Sequence, residues 1–306
     1  MEYVYLFPGQ GSQYLGMACS LYNNWDQAKR LFEESSQLLG YDLFELVAHA
    51  PAEKLQRTLY TQPALFVHSM IIVQWLKEER CGIHPSLMIG HSLGELTALA
   101  ASEAISLMQG LHLVKVRAEL MEEANSEGAG GMAAVLGLDA ELIDMVISRI
   151  DGLAVANYNS PNQTVITGGL YALAKAETDL KAAGAKRIMR LSVGGAFHSI
   201  LMKEASERFS REIEKVDFRE PICPVVSNVD GCASKDRNVL KNNLLKQMIS
   251  PVKWTDSMRS VQKSYPQAAL LEIGASTVLK GLAKQTVPEM RVVNLDKWVD
   301  LVSFMG

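Results

Sequence analysis

The chain has 306 residues and a formal net charge of −4, and 48% of its residues are hydrophobic. A chain of this length can bury a large core and has room for a second, smaller unit. The weakly acidic balance argues against a nucleic-acid-binding protein and against a protein that binds an anionic membrane surface.

The sequence begins with a strand-like run at residues 3–7, and no basic segment precedes it, so we expect no signal peptide. The most apolar helical stretch, 64–76, contains His68, Ser69 and Gln74, which makes it too short and too polar to span a bilayer. The cysteines show neither metal-binding spacing nor a paired framework, and reduced thiols in the cytoplasm are the simplest interpretation. They are Cys19, Cys81, Cys223 and Cys232.

A glycine loop, Pro8-Gly9-Gln10-Gly11-Ser12-Gln13, follows the first strand. It is not a dinucleotide-binding fingerprint, because Tyr14 stands where the third glycine belongs, and it lacks the lysine of a phosphate-binding loop. By itself the loop is most simply a tight turn, but its amide could supply polar groups to a site at the carboxyl edge of a sheet. The segments after it predict three helices, the last with Pro63 near its first turn. These helices are 25–39, 42–49 and 61–78.

The segment Gly90-His91-Ser92-Leu93-Gly94-Glu95 lies between an apolar run at 87–89 and a small-residue helix at 95–101. This pattern predicts a strand, a sharp turn and a helix, with Ser92 at the tip of the turn. Glycines on both sides permit a strained backbone, and the helix N-terminus directs amide donors at the same spot. Ser92 is therefore a candidate nucleophile, and the N–H of Leu93 is a candidate oxyanion donor. The alternative is a chance Gly-x-Ser-x-Gly pattern in an ordinary turn.

A further helix is predicted over 112–123, and Arg117 falls in the middle of its apolar face. An arginine on a core-facing stripe is costly unless an anion meets it. That anion is either an internal carboxylate in a structural salt bridge or a substrate carboxylate held by two parallel hydrogen bonds.

Composition changes at the glycine-rich segment 125–131, which we interpret as a flexible linker. The residues after it predict two consecutive strand-helix-strand units, which is the ferredoxin-like arrangement. The predicted strands are 132–137, 153–158, 164–167 and 187–191, and the predicted helices are 140–150 and 170–183. We therefore predict an α/β main domain made of 1–126 and 197–306, with a ferredoxin-like subdomain inserted at 127–196.

The chain returns to the main domain at Ala196-Phe197-His198-Ser199. A lone histidine in a loop is more often structural than catalytic. However, Ser92 needs a base, and this loop re-enters at the edge where the serine turn should lie, so His198 is the candidate base. The remaining sequence completes the α/β body. Its predicted strands are 224–228, 270–273 and 291–295, its helices are 240–248 and 253–263, and a turn and helix occupy 274–284.

Taken together, these motifs resemble the malonyl-CoA:acyl carrier protein transacylase family along nearly the whole chain. The resemblance implies a hydrolase-like α/β domain with a parallel sheet and an inserted ferredoxin-like α+β subdomain. Besides the segments already named, it rests on Thr61-Gln62-Pro63-Ala64, Lys115-Val116-Arg117, Asn157-Tyr158-Asn159-Ser160-Pro161 and Gln247-Met248-Ile249-Ser250-Pro251-Val252.

The resemblance also implies a role for each matching residue. Ser92 would accept the acyl group, and His198 would take its proton. Gln10 and the Leu93 amide would form the oxyanion hole, and Arg117 would hold the malonyl carboxylate. The backbone carbonyl of Gln247 would orient His198, so that no acidic third member is needed, and Phe197 would limit room at the malonyl α-carbon.

Family members transfer malonyl from malonyl-CoA to the phosphopantetheine thiol of an acyl carrier protein, through a seryl ester and without a cofactor of their own. The version Ala-Phe-His-Ser resembles the polyketide-synthase branch, although Gly195 stands where many modular members have histidine. The size of the chain resembles discrete acyltransferases that serve synthase modules in trans. We expect a cytoplasmic monomer that supplies polyketide or fatty acid synthesis.

Two other functions compete with this one. A proofreading hydrolase that removes acyl groups from carrier proteins would have little use for a carboxylate-binding Arg117. A catalytically inactive docking module would not need Ser92, His198, Gln10 and Arg117 together.

Overall fold

A computed structural model describes residues 2–79, 83–124 and 130–305. The strands in these residues are β1 (Tyr3–Phe7), β2 (Pro85–Gly90), β3 (Gly130–Leu136), β4 (Leu153–Ser160), β5 (Gln163–Gly169), β6 (Arg187–Arg190), β7 (Val225–Val226), β8 (Ala233–Ser234), β9 (Ala269–Ile273) and β10 (Val292–Leu295).

The helices of the first half are α1 (Cys19–Asn24), α2 (Asp26–Leu39), α3 (Leu43–His49), α4 (Ala52–Gln56), α5 (Thr58–Glu78), α6 (Leu93–Ala101), α7 (Leu107–Glu123) and α8 (Ala140–Ile147). Those of the second half are α9 (Leu170–Ala182), α10 (Lys203–Glu214), α11 (Arg237–Gln247), α12 (Trp254–Ser264), α13 (Val278–Thr286) and α14 (Trp298–Met305). A 3₁₀ turn, Ile200–Met202, precedes α10.

The larger sheet has the order β10-β9-β1-β2-β7-β8 and is parallel except for the edge strand β8. Its central strands are buried on both faces, which explains their continuous apolar sequences. Val4 and Leu6 pack in one core cluster with residues of α12 and α13. Tyr5 and Phe7 point the other way, into the core that includes α5, α6 and α7. The fold thus has helices on both sides of a mostly parallel sheet.

The smaller sheet has the order β4-β5-β3-β6 and is antiparallel throughout. Along β3 the side chains alternate between two cores, because successive residues of a strand point to opposite faces. Ala133 and Val135 pack with the residues of α8 and α9. Met132 and Ala134 belong to the core of the larger unit. This second face is where the smaller unit, made of β3–β6 with α8 and α9, meets the larger unit, made of the six-stranded sheet and the other helices.

The predicted fold class is confirmed, while several element bounds differ from the prediction. Helix α5 begins at Thr58, so Pro63 lies inside the helix and not in its first turn. Helix α7 begins at Leu107, because Ser106 and Gln109 form a capping box that the prediction overlooked. The strand expected at 224–228 has only the two residues of β7, because the chain turns after it. In this turn the Ser227 N–H donates to the Cys232 carbonyl, and the Gly231 N–H donates to the Ser227 carbonyl.

The prediction also omitted helices α1, α4, α10 and α14 and the short strand β8. Of the linker expected at 125–131, residues 125–129 lie outside the described residues, as does Cys81, and the last two glycines belong to β3. The domain boundaries at 126/127 and 196/197 stay a prediction. None of the described helices combines the length and apolar character needed to cross a membrane.

Candidate active site

The predicted strand, turn and helix around Ser92 are confirmed. Ser92 lies between β2 and α6 with φ 52° and ψ −102°, a backbone conformation that costs about 1–3 kcal/mol in a non-glycine residue. Both flanking glycines are required by close contacts. A Cβ on Gly94 would lie 2.1 Å from the Phe7 carbonyl oxygen, and one on Gly90 would lie 1.9 Å from the backbone of Gly94.

His198 is the histidine that contacts the serine. Its Nε2 lies 2.8 Å from Ser92 Oγ, and its Nδ1 lies 3.1 Å from the Gln247 carbonyl oxygen and 3.0 Å from that of Ser250. Both carbonyls can only accept, so Nδ1 carries the proton and Nε2 is free to accept the Ser92 hydroxyl proton. Burial, together with the positive charge of Arg117, lowers the pKa of His198 to about 3. The ring is therefore neutral near pH 7, as a base must be.

The other histidines do not reach Ser92 Oγ, although His91 is its chain neighbour. His91 Nε2 lies 2.8 Å from Asn159 Oδ1, and its ring packs against Trp254 with the centroids 5.4 Å apart. His68 is buried and lies 2.9 Å from the Asp296 carbonyl oxygen. Burial lowers the pKa of both His68 and His91. A depressed pKa therefore does not distinguish the base from its competitors, whereas the contact with Ser92 does.

Arg117 is 1% exposed and points from α7 into the same site. Its Nη1 donates to Gln62 Oε1 at 2.7 Å, and its Nη2 donates to Ser92 Oγ at 3.0 Å and Gln247 Oε1 at 3.1 Å. Its Nε is buried without a hydrogen-bond partner, and it forms no salt bridge with a carboxylate of the described residues. Burial lowers the pKa of Arg117 to about 10, and the charge of Glu95 opposes this shift.

Gln247 contacts more of the site than the sequence indicated. Its backbone carbonyl accepts from His198, and its side-chain Nε2 donates to the Ser92 carbonyl at 2.9 Å and to Glu95 Oε2 at 2.7 Å. The same side-chain amide accepts from Arg117 through Oε1. Gln247 is the last residue of α11, and from this position it contacts all three of the predicted residues Ser92, His198 and Arg117.

Gln10 and Leu93 both line the cleft beside Ser92. The Gln10 side chain donates to Thr58 Oγ1 at 3.1 Å, so its amide is already engaged on the side of α5. Leu93 is the first residue of α6, where a backbone N–H has no acceptor within its own helix.

The cleft lies between the two sheets' units. The wall from the larger unit contains Phe197, which is 5% exposed, and Met121. The wall from the smaller unit contains Met132 and Asn157, and the buried Oδ1 of Asn157 has no hydrogen-bond partner in the part of the chain that the structure describes. A second cavity shares Gln10, His91, Asn157 and Leu191 with the first and continues between the units toward α13.

Three residues of the site received no role from the sequence. Gln62 holds Arg117, as described above. Asn228 accepts from the Ser92 N–H through Oδ1 and donates to the Gly90 carbonyl through Nδ2, both at 2.7 Å. Burial raises the pKa of Glu95 to about 7, against the opposing effect of hydrogen bonds from Gln247 and the Asn228 N–H. Gln62 and Glu95 lie inside motifs named from the sequence, whereas Asn228 carries no comparable signal.

Among the residues that the structure describes, no group of three or more histidine, cysteine, aspartate or glutamate side chains could hold a metal ion.

Comparisons with known proteins agree with this geometry. The family described as acyl transferase domain matches residues 4–299. The malonyl CoA-acyl carrier protein transacylase of Salmonella typhimurium is 38% identical over 300 residues, which are 97% of this chain and 96% of that protein.

Two solved structures are similarly close. A malonyl-transacylase in complex with a type II polyketide synthase acyl-carrier protein has a TM-score of 0.95 and 38% identity, covering 100% of this chain and 99% of that one. An acyl carrier protein S-malonyltransferase from Vibrio cholerae has a TM-score of 0.94 and 35% identity, covering 99% of this chain and 100% of that one. The chain therefore belongs to the acyl transferase domain family, among the malonyl-CoA:acyl carrier protein transacylases.

Proposed function

We propose that this protein moves a malonyl group from malonyl-CoA to the phosphopantetheine thiol of an acyl carrier protein, through an ester on Ser92. One observation carries the proposal. A serine hydroxyl on a strained turn lies 2.8 Å from a neutral histidine and 3.0 Å from a buried arginine that forms no salt bridge with a described carboxylate. The first contact provides a nucleophile with its base, and the second provides a receptor for a substrate anion.

In the first half-reaction, His198 Nε2 takes the Ser92 hydroxyl proton as Oγ attacks the thioester carbonyl. The N–H groups of Leu93 and Gln10 would stabilise the oxyanion. We favour the backbone N–H of Gln10, because its side-chain amide is bonded to Thr58. The C–S bond then breaks, and the CoA sulfur leaves with the proton held by His198.

In the second half-reaction, the thiol of the carrier protein gives its proton to His198, and its sulfur attacks the seryl ester. The ester bond breaks, and Ser92 Oγ recovers the proton from His198. The Gln247 and Ser250 carbonyls keep the Nδ1 proton in place throughout, in the role that a carboxylate has in other triads.

Arg117 would select the malonyl group. It has five N–H donors, of which one is used by Gln62 and two on Nη2 are used by Ser92 and Gln247. A carboxylate that takes parallel bonds from both Nη atoms would therefore replace one of the two acceptors on Nη2, and we favour the Ser92 hydroxyl because Ser92 lines the cleft while Gln247 is 1% exposed. Malonyl binding would thus release the nucleophile, while an acetyl group offers no anion for this exchange. Phe197 would restrict a methyl branch at the malonyl α-carbon.

The same proposal covers the setting of the reaction. We place the protein in the cytoplasm as a monomer without a cofactor, supplying malonyl units for polyketide or fatty acid synthesis. The solved relative bound to its acyl-carrier protein supports a carrier protein as the partner. Arg117 disfavours a proofreading hydrolase, and the assembled Ser92, His198 and Arg117 disfavour an inactive docking module.

Intact-mass and peptide mass spectrometry test the proposal directly. Protein incubated with malonyl-CoA should gain one malonyl group on the peptide that contains Ser92, and adding a holo-carrier protein should move that group to the carrier. Ser92→Ala should take up none. Stable malonylation of Ser92→Ala, or loss of the group to water but never to a carrier, would overturn the assignment.

A further inference from the structure

Glu95 is a buried carboxylate that the proposed mechanism does not use. It lies in the first turn of α6, is 1% exposed, and forms no salt bridge with a cation of the described residues. Its Oε2 instead accepts from Gln247 Nε2 at 2.7 Å and from the Asn228 N–H at 3.2 Å. A buried carboxylate that forms no direct ion pair is costly even with the charge of Arg117 nearby, so its place beside the nucleophile needs a reason.

Both partners of Glu95 also hold the main chain of Ser92. Asn228 Oδ1 accepts from the Ser92 N–H at 2.7 Å, and Gln247 Nε2 donates to the Ser92 carbonyl at 2.9 Å. Ser92 has a positive φ that the surrounding structure must maintain. One carboxylate oxygen therefore anchors the main chain of Asn228 and the side chain of Gln247, the two residues that bond the peptide groups on either side of the nucleophile.

The carboxylate and the Ser92 carbonyl together determine which way the Gln247 amide faces. Glu95 Oε2 and the Ser92 carbonyl are both acceptors, so the amide must present its NH₂ group to them. Its oxygen is then left for the donor Nη2 of Arg117. If the amide rotated, its NH₂ group would face the guanidinium, and the arginine would lose an acceptor.

We infer that Glu95 is a positioning residue, whose Oε2 fixes the Asn228 N–H and the Gln247 amide and thereby holds both the Ser92 turn and Arg117 in their working geometry. This inference rests on the proposed function. It predicts a loss of selectivity between acyl groups, which a general weakening of the fold would not produce. The preference for malonyl over acetyl should fall, because the effect on Arg117 adds to the effect on Ser92.

Glu272 supplies a matched control. It is a fully buried glutamate elsewhere in the larger unit, at β9, and its oxygens accept from the Leu279 and Lys280 N–H groups at the start of α13. Burial raises the pKa of Glu272 to about 7, as it does for Glu95. Glu272→Gln therefore imposes a comparable change on the core without touching Ser92, Gln247 or Arg117.

The experiment measures single-turnover acylation of Ser92 by malonyl-CoA and by acetyl-CoA, using intact mass, with rates corrected for the folded fraction. In Glu95→Ala the malonyl-to-acetyl rate ratio should fall about tenfold or more, the size of one charge-assisted hydrogen bond. Glu95→Gln, which keeps one acceptor oxygen, should lose less. Glu272→Gln should keep the wild-type ratio.

The outcomes separate the two proposals. A wild-type ratio in folded Glu95→Ala overturns the positioning role, as does a ratio that falls equally in Glu272→Gln. If Glu95→Ala does not fold, Glu95→Gln decides, and an unchanged ratio there overturns the inference. Wild-type protein that takes up no malonyl group overturns the proposed function itself, and the positioning role with it.

Discussion

The two units of the molecule contribute differently to the cleft. All the side-chain hydrogen bonds that the described residues make with Ser92 involve residues of the larger unit, namely His198, Arg117, Gln247 and Asn228. The smaller unit contributes Met132, Asn157 and Leu191 to the opposite wall, and no described residue of its sheet bonds to Ser92.

The difference has a physical origin. The carboxyl ends of parallel strands and the first turns of the helices that follow meet at one sheet edge, where amide donors and polar side chains converge. An antiparallel sheet has only a small net dipole and presents a face of side chains instead. The larger unit is therefore suited to the chemistry, and the smaller unit to the shape of the cleft. Substitutions in the first should change rates and acyl preference, and those in the second should change substrate affinity.

The largest effect is expected at His198. His198→Ala removes the group that takes the Ser92 proton, and the rate of malonylation should fall by roughly two to four orders of magnitude. Single-turnover intact-mass kinetics measure the rate, and circular dichroism verifies folding. Malonylation at the wild-type rate would show that another group is the base, with His91 the nearest histidine in the chain.

A smaller, selective effect is expected at Arg117. Arg117→Ala should lower the ratio of kcat/KM for malonyl-CoA to that for acetyl-CoA about ten- to two-hundred-fold, because a charge-assisted hydrogen bond contributes about 1.5–3 kcal/mol. Lys115→Ala is the control, since Lys115 lies on the same helix and bonds to the Leu38 carbonyl, away from Ser92. An unchanged ratio in Arg117→Ala would reduce the arginine to a structural role.

The smallest effect is expected in the smaller unit, at Asn157. Its buried Oδ1 has no hydrogen-bond partner among the described residues and could accept a hydrogen bond from an amide of the pantetheine arm. Losing one such bond costs about 0.5–1.5 kcal/mol, so Asn157→Ala should raise KM for malonyl-CoA about two- to tenfold with kcat unchanged. Asn162, exposed at the turn after β4, provides the control Asn162→Ala. A large fall in kcat for Asn157→Ala would contradict the assignment of catalysis to the larger unit and of substrate affinity to the smaller unit.

The serine turn was predictable because its causes are local. An apolar run, two glycines and small helix-forming residues lie within about a dozen positions of Ser92, and the close contact between Gly94 and Phe7 explains why no larger residue fits there. The alternation of strands and helices between β3 and β6 was also predictable, because the patterns that produce it are local in the sequence. Helix α7 was placed five residues too late, because its capping box at Ser106 was not considered.

The polar network around the turn was not predictable in this way. The Gln62 and Gln247 side chains meet at Arg117 from positions 55 and 130 residues away along the chain, and Asn228 reaches Ser92 across 136 residues. Nothing local to an asparagine or glutamine indicates which distant group its amide will bond. A buried arginine likewise left a structural ion pair and a substrate receptor equally open until its surroundings were known.

The sequence by itself determined the elements that depend on near neighbours, namely the order of strands and helices, the serine turn, and the apolar face of α7 that carries Arg117. The sequence named His198 as the candidate base, but only the tertiary structure decided that it contacts Ser92, that the Gln10 side chain bonds to Thr58, and that Glu95 anchors Gln247. The physical reason is that periodicity and turn chemistry act over a few residues, whereas hydrogen bonds form between whichever groups the packed sheets and helices bring together.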